Sequence, residues 1–348
     1  MLMKKIIVCP DSFKGTLTAK EVSHFITQEI KKILSEIEIV EIPLADGGEG
    51  TADILKGFYS HVVETKAHDA IGRLINTRYY VSPDNKVFIE SAEIIGLPLL
   101  KENERNPIYT SSRGLGELIR EVIEKGYKEI TVSLGGSSTC DGGFGMMENI
   151  GENLKGVKFN VICDVTNPLL GEEGAASVFA PQKGASPKDI PILEKRLENY
   201  VDKCVLNNLC YKEEAFEVGA GAAGGLGFAF KALLKATRIK GIDFILDHTN
   251  FWGKIQDADI IITGEGKVDS QSLMGKVLSG VLSRSFKYNI PVITIGGKIE
   301  DTEKLYAAGV YKAYEISDPL LSLKENMERK QTLNNIKKVI QKIIIDFQ

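Results

Sequence analysis

The chain has 348 residues, 43% hydrophobic and 26% charged, a length beyond one typical core and suited to two domains. Its 43 basic and 47 acidic residues give a formal charge of −4 with no basic run, which argues against a nucleic-acid or membrane-surface binder. The cysteines, Cys9, Cys140, Cys163, Cys204 and Cys210, include no C-x-x-C pair, which argues against a disulfide framework or zinc cluster and fits a reducing compartment.

The dominant pattern is a short apolar run, a polar glycine-rich loop, then an amphipathic segment. KKIIVCP predicts the first strand, and its apolar run, Ile6–Cys9, is too short for a signal-peptide core. AKEVSHFITQEIKKILS follows, with Val22, Phe25, Ile26, Ile30, Ile33 and Leu34 at helical spacing. EIVEIPLA predicts a strand and ADILKGFYS a helix. NTRYYVS and KVFIESA flank the turn-forming PDN and predict an antiparallel hairpin. GELIREVIEKGY is helical, KEITVSLGG and VKFNVICDV are strands, and SPKDIPILEKRLENYVDKCVLNNL is a helix starting at Ser186-Pro187. Beyond residue 255 the first rhythm returns: strand DADIIIT, helix SLMGKVLSGVLSRSFKYN, strand IPVITIGG, helix DTEKLYAAG, strand YKAYEIS and a terminal helix from Ser322.

This order predicts an α/β fold of two α/β domains with a cleft between them. One is discontinuous, residues 1–65 plus 255–348, with a mostly parallel sheet of Rossmann or flavodoxin type. The other, residues 66–254, is inserted. No apolar stretch approaches membrane-spanning length, and the expectation is a cytoplasmic protein with no nucleic-acid or membrane partner. A homodimer is admitted by the sequence but not required by it.

Five polar loops follow strands: Pro10–Thr16, Ala45–Thr51, Leu134–Gly143, Cys163–Pro168 and Thr263–Ser272. In parallel α/β sheets ligands bind outside the carboxyl ends of strands. Glycines let backbone approach an anion, and all but the fourth loop lead into a helix start whose free N–H groups suit phosphate. Lys14, Lys267 and Lys276 can neutralise phosphoryl oxygens. Asp46, Glu49, Asp141, Asp164, Glu265 and Asp269 offer oxygen ligands to Mg²⁺. Glycines, lysines and carboxylates without histidine suit phosphoryl transfer. Plainer readings stand beside this: Asp46-Gly-Gly and Asp141-Gly-Gly as turns, Ser137–Thr139 as helix caps, Lys267 as a solvated lysine.

Gly219–Gly224 reads GAGAAG, which fits G-x-G-x-x-G, with Asp243 further on, the dinucleotide fingerprint. The preceding AFEV is a poor strand, so an NAD(P)-dependent oxidoreductase of a small hydroxy acid is the alternative rather than the leading reading. His24, His61, His68 and His248 avoid the strand-end loops, which points to structural or surface roles.

PDSFKGTLTA, ADGGEGT, GGSSTCDGG, CDVTNPL, GAASVFAPQKGA, GAGAAGGLG and ITGEGKVDSQSLMGK, in this order over essentially the whole chain, resemble the bacterial glycerate kinase family, which includes the glycerate 2-kinases. The resemblance implies phosphorylation of D-glycerate with ATP as co-substrate and Mg²⁺, the 2-position favoured over the 3-position. Under it, Asp46 or Asp164 takes the hydroxyl proton, and Lys14 and Lys267 hold phosphoryl oxygens. Glu265 and Asp269 help bind the metal, directly or through water. Ser12, Arg113, Ser137, Ser138, Thr139 and Lys183 bind substrate, with Arg113 or Lys183 on its carboxylate. Gly47, Gly48, Gly135, Gly136, Gly264, Gly266 and Lys276 bind nucleotide. Two departures stand out. Cys140 replaces the family's Asn, which predicts an oxidation-sensitive thiol, and the stretch between Met147 and Val161 is shortened.

Overall fold

The computed structural model describes residues 3–13, 15–47 and 51–347; Lys14, Gly48 and Glu49 lie outside the described residues. The strands are β1 (Lys5–Val8), β2 (Glu38–Glu41), β3 (His61–His68), β4 (Leu74–Val81), β5 (Val87–Glu90), β6 (Glu129–Ser133), β7 (Lys158–Ile162), β8 (Thr237–Ile239), β9 (Ile260–Val268), β10 (Val292–Ile299) and β11 (Val310–Glu315). They form two sheets, and the chain divides into two compact units, Met1–Asp46 with Ile242–Gln348, and Gly47–Gly241.

The first unit is a sheet in the order β11-β10-β9-β1-β2 with every neighbouring pair parallel. Numbered within the unit this is 2-1-3-4-5, the flavodoxin order, and the direction of winding reverses between β1 and β9. Ile6, Ile7 and Val8 are all fully buried, as a strand covered on both faces requires. Val22, Ile26 and Ile30 of the helix Ala19–Ile33 recur on one face and pack with Ile336, Ile340, Ile343 and Ile344 of the helix Arg329–Phe347. The first helix starts where its sequence says: Thr18 and Glu21 form a capping box.

The second unit has a mixed sheet, β3-β4-β5-β6-β7-β8. β3, β4 and β5 are antiparallel and the rest parallel. The hairpin predicted around PDN is β4–β5. β3 went unread because HVVETKAH mixes polar and apolar residues on an edge position, where one side faces water. The unit boundaries also differ from the sequence reading. Residues 47–65 belong with the second unit: β3 pairs with β4 along its length, and the Ala52 amide donates to Glu90 at 2.7 Å. Residues 242–254 belong with the first, where Ile242 packs against Gly280.

Candidate active site

In the first unit the backbone carries β1 onward beside β9. The amides of Cys9 and Asp11 donate to the carbonyls of Ile262 and Gly264, each at 2.8 Å. This sets Ser12 and the 7%-exposed Asp11 at the carboxyl end of the sheet, next to Gly264 and Glu265. Asp11 was not among the sequence candidates, although its place directly after the first strand was the available signal.

Thr263–Ser272 is not the loop the composition suggested. β9 runs on to Val268, paired with β10 through Thr294–Thr263, Gly296–Glu265 and Lys298–Lys267. Gly264 is needed here for packing: a Cβ would lie 2.4 Å from the Ile295 carbonyl oxygen. Gly264 and Gly266 are therefore strand residues, and the turn begins only at Asp269, which accepts from the Gln271 amide at 2.8 Å. Four residues of extended chain separate the Cα atoms of Glu265 and Asp269 by about 13 Å. Two oxygens on one Mg²⁺ must both come within about 2.1 Å of it, so these side chains do not fit as joint direct ligands. Asp269 instead pairs with Lys267 at 3.1 Å, and Lys267 also reaches Glu300 at 2.9 Å. Those pairs raise the Lys267 pKa, Glu300 first, so the ammonium stays charged. Lys276 precedes the helix Val277–Ser285 at its N-cap. Asp46 is half-buried at the end of the first segment of this unit.

In the second unit the loop after β6 is the best-built feature. Ser138 is fixed to the backbone: its amide and hydroxyl both donate to the Ile95 carbonyl at 2.8 Å. These two bonds tie the loop to the backbone at Ile95. Lys183 is 3% exposed and lies beneath the loop, donating to Ser137 Oγ at 3.0 Å and to the Thr139 carbonyl at 2.7 Å. Burial pushes its pKa down to about 8, partly offset by Cys140 and Asp141. With its oxygen accepting from an ammonium, Ser137 is left to donate its own O–H. Thr139 Oγ1 is buried with no hydrogen-bond partner among the described residues. An unpaired buried hydroxyl costs free energy, and a ligand that pairs with it relieves that cost.

Asp141 serves as a staple. It accepts from the Ser112 amide and hydroxyl, both at 2.8 Å, and from the amides of Gly143 and Gly145 at 3.1 and 3.2 Å. Three of these bonds fall on Oδ2 and one, from Gly143, on Oδ1, so the carboxylate is held in place chiefly through Oδ2. The opposite side of the loop is braced by the glycine-rich segment. Gly142 donates to the Gly224 carbonyl at 2.9 Å, and a Cβ on Gly224 would lie 1.9 Å from the Thr139 carbonyl oxygen. Ala223, Gly224 and Gly225 all have positive φ, 53°, 69° and 98°. The segment before them is a 3-10 turn, Lys212–Phe216, not a strand, so the dinucleotide fingerprint lacks its structural context.

The remaining candidates separate. Gly135 and Gly136 open the loop, Gly136 with φ 77° and its carbonyl accepting from Leu97. Gly47, with φ 86°, packs against Ile162 and Gly241, which explains its lack of a side chain without a ligand. Asp164 follows β7 and its Oδ1 accepts from the Gly241 amide at 3.0 Å. Arg113 faces solvent and pairs with Glu117 at 2.7 Å. Cys140 is 2% exposed and burial pushes its pKa up to about 11, so the expectation of a reactive thiol is overturned. His68 pairs with Glu117 at 2.8 Å, and His248 bonds the Phe244 carbonyl.

The fold and these loops define a two-unit α/β protein whose strand ends present hydroxyls, carboxylates and cations suited to small anionic ligands. Comparison narrows the class. The glycerate kinase family model matches residues 6–156 and 147–348. The chain is 35% identical to a glycerate kinase of Halalkalibacterium halodurans, covering 95% of each chain. It is 37% identical to the glycerate 2-kinase of Escherichia coli K12, covering 85% of this chain and 86% of that one. The crystal structure of the protein assigned as glycerate kinase 2 in Salmonella typhimurium LT2 superposes with a TM-score of 0.81, at 33% identity, over 99% of this chain and 98% of that one. The chain belongs to the glycerate kinase family.

Proposed function

We infer that this enzyme transfers the γ-phosphoryl group of ATP to a hydroxyl of D-glycerate, and we propose the 2-hydroxyl as acceptor. Membership of the glycerate kinase family across both halves of the chain carries this reading. In the reaction the substrate oxygen forms a bond to the γ-phosphorus, the bond to the β–γ bridging oxygen breaks, and ADP leaves with that electron pair. The hydroxyl proton goes to a carboxylate, Asp46 or Asp164.

The buried Lys183 supports a role one step back from the substrate. It fixes Ser137 so that the Ser137 hydroxyl donates to the glycerate carboxylate, beside the unpaired Thr139 hydroxyl. Lys267 and Lys14 are proposed to hold phosphoryl oxygens, with Lys267 exchanging a carboxylate partner for phosphate. Mg²⁺ enters with ATP as part of the co-substrate, and Glu265 and Asp269 are kept as candidate carboxylates toward it, one directly and the other through water. The enzyme is proposed to be cytoplasmic. Among the described residues no helix is long and apolar enough to cross a membrane.

A phosphorus NMR time course with ATP, Mg²⁺ and D-glycerate tests this. A 2-phosphoglycerate resonance is expected. 3-Phosphoglycerate would move the acceptor to the other hydroxyl, and unchanged ATP would overturn the reading. Asp46→Asn and Asp164→Asn, assayed separately, identify the base by a loss in kcat of about 100-fold or more in one of them.

A further inference from the structure

We propose that the second unit carries a separate binding site for an organic anion with an apolar body, an aryl or alkyl carboxylate or phosphomonoester, on the far side of the substrate loop. A cavity of about 340 Å³ lies between this loop and the helix Asp189–Leu206. That volume falls within the usual range for small-molecule sites, about 300–1,000 Å³. Ile108, Phe144 and Tyr200 form an apolar wall, with the Phe144 and Tyr200 rings edge to face at 5.4 Å. Arg196 and Lys203 stand at its rim, seven residues apart on one helix face, about 10 Å along the axis.

The charge pattern of this rim is one-sided. The acidic neighbours on the helix are engaged elsewhere, Glu198 with Lys195 at 2.9 Å and Asp202 with Lys212 at 3.1 Å. No carboxylate lies within 4.0 Å of Arg196 or Lys203 among the described residues. Arg196 donates to the Ile108 carbonyl at 2.7 Å, which holds its guanidinium at the rim. Asp141 also lines the cavity; its Oδ2 accepts three of the four hydrogen bonds described above and its Oδ1 one, so the carboxylate is held by the loop and stands apart from the two rim cations, neither of which it pairs with. Two cations over an apolar wall select an anion with an apolar body. Neither Ser137, Thr139 nor Lys183 lines this space, so it is distinct from the proposed glycerate site.

The cavity is also coupled to the loop. Cys140 is part of its lining, and the Tyr200 ring lies so close to Gly142 that a Cβ there would be 2.9 Å from Cδ1. Gly142 is in turn bonded to Gly224, the brace of the loop. An occupant pressing on Tyr200 therefore shifts the KM for D-glycerate. Binding stands independently of the kinase reading; only this coupling rests on it.

The test uses phenyl phosphate as probe, followed by saturation-transfer NMR and calorimetry on the full chain. Saturable binding is expected to persist with ADP and D-glycerate present. It is expected to weaken about tenfold or more in Lys203→Glu, an exposed position. Asn199→Trp, which fills the rim, is expected to abolish it while both variants keep wild-type kcat without probe. Absence of saturable binding, displacement by ADP with D-glycerate, or undiminished affinity in both variants overturns the site. Binding with no change in the KM for D-glycerate overturns the coupling.

Discussion

Lys183 is the residue whose physics differs most from its sequence appearance. A lysine in PQKGA reads as a cation for the substrate carboxylate, yet the folded chain buries it under the loop. Its pKa falls to about 8 from 10.5 because burial disfavours the charged form. Between those values the unfolded chain holds a proton that the folded chain has released, so this group's contribution makes stability rise with pH across that window. Catalysis moves the other way: above about pH 8 the group donating to Ser137 loses its charge and that hydrogen bond weakens, and the KM for D-glycerate is expected to rise. Lys183→Met should flatten that pH dependence and raise KM roughly 10- to 100-fold at neutral pH, the worth of a charged hydrogen bond. Adjacent serines should separate in the same assays. Ser138→Ala should cost about 1 kcal/mol or more in urea unfolding with kcat near normal, because its hydroxyl serves Ile95. Ser137→Ala should leave stability closer to wild type and raise KM.

Two elements owe their form to backbone approach. The β9–β10 ribbon is held so closely that Gly264 has no room for a Cβ, which is why a glycine-rich loop signature turned out to be strand. Lys267 stands on that ribbon with its side chain about half exposed, so its pairs with Asp269 and Glu300 contribute little to stability. Lys267→Ala should therefore leave the unfolding midpoint close to wild type while lowering kcat about 100-fold if it clamps phosphoryl oxygens. The segment Ala223–Gly225 is the second case. Gly224→Ala forces a side chain into the Thr139 carbonyl and a left-handed φ, and should destabilise by about 1–3 kcal/mol or more in denaturant unfolding. A rise in KM larger than that of an equally destabilised distant variant would mark Gly224 as a positioning residue.

At the scale of the whole molecule, each unit carries its own core. Tyr79, Ile89, Ile119, Val132 and Phe230 belong to one cluster of the second unit, Leu169, Leu193, Leu197 and Phe228 to another, and Ile6, Ile26, Ile262, Ile295 and Ile340 to the first unit. Because residues 47–241 are contiguous and enclose their own clusters, that fragment should unfold cooperatively when expressed alone. It should not phosphorylate glycerate, since Lys267 and Glu265 lie outside it. Circular dichroism melts and a coupled ADP-release assay check both halves of this expectation.

The alternation of strands and helices along the first unit, the hairpin at PDN and the first helix were legible because each depends on local pattern: buried apolar runs, turn residues and apolar residues at helical spacing. The family was legible because its loops are long blocks in fixed order. What the sequence could not determine were contacts between residues far apart in the chain. The strand character of Gly264–Lys267 depends on β10, the burial of Lys183 on a loop some 45 residues earlier, and the anchoring of Asp141 on Ser112. Composition sets what a side chain can do, but only tertiary packing decides whether its donors and acceptors are already spent within the protein or left for a ligand.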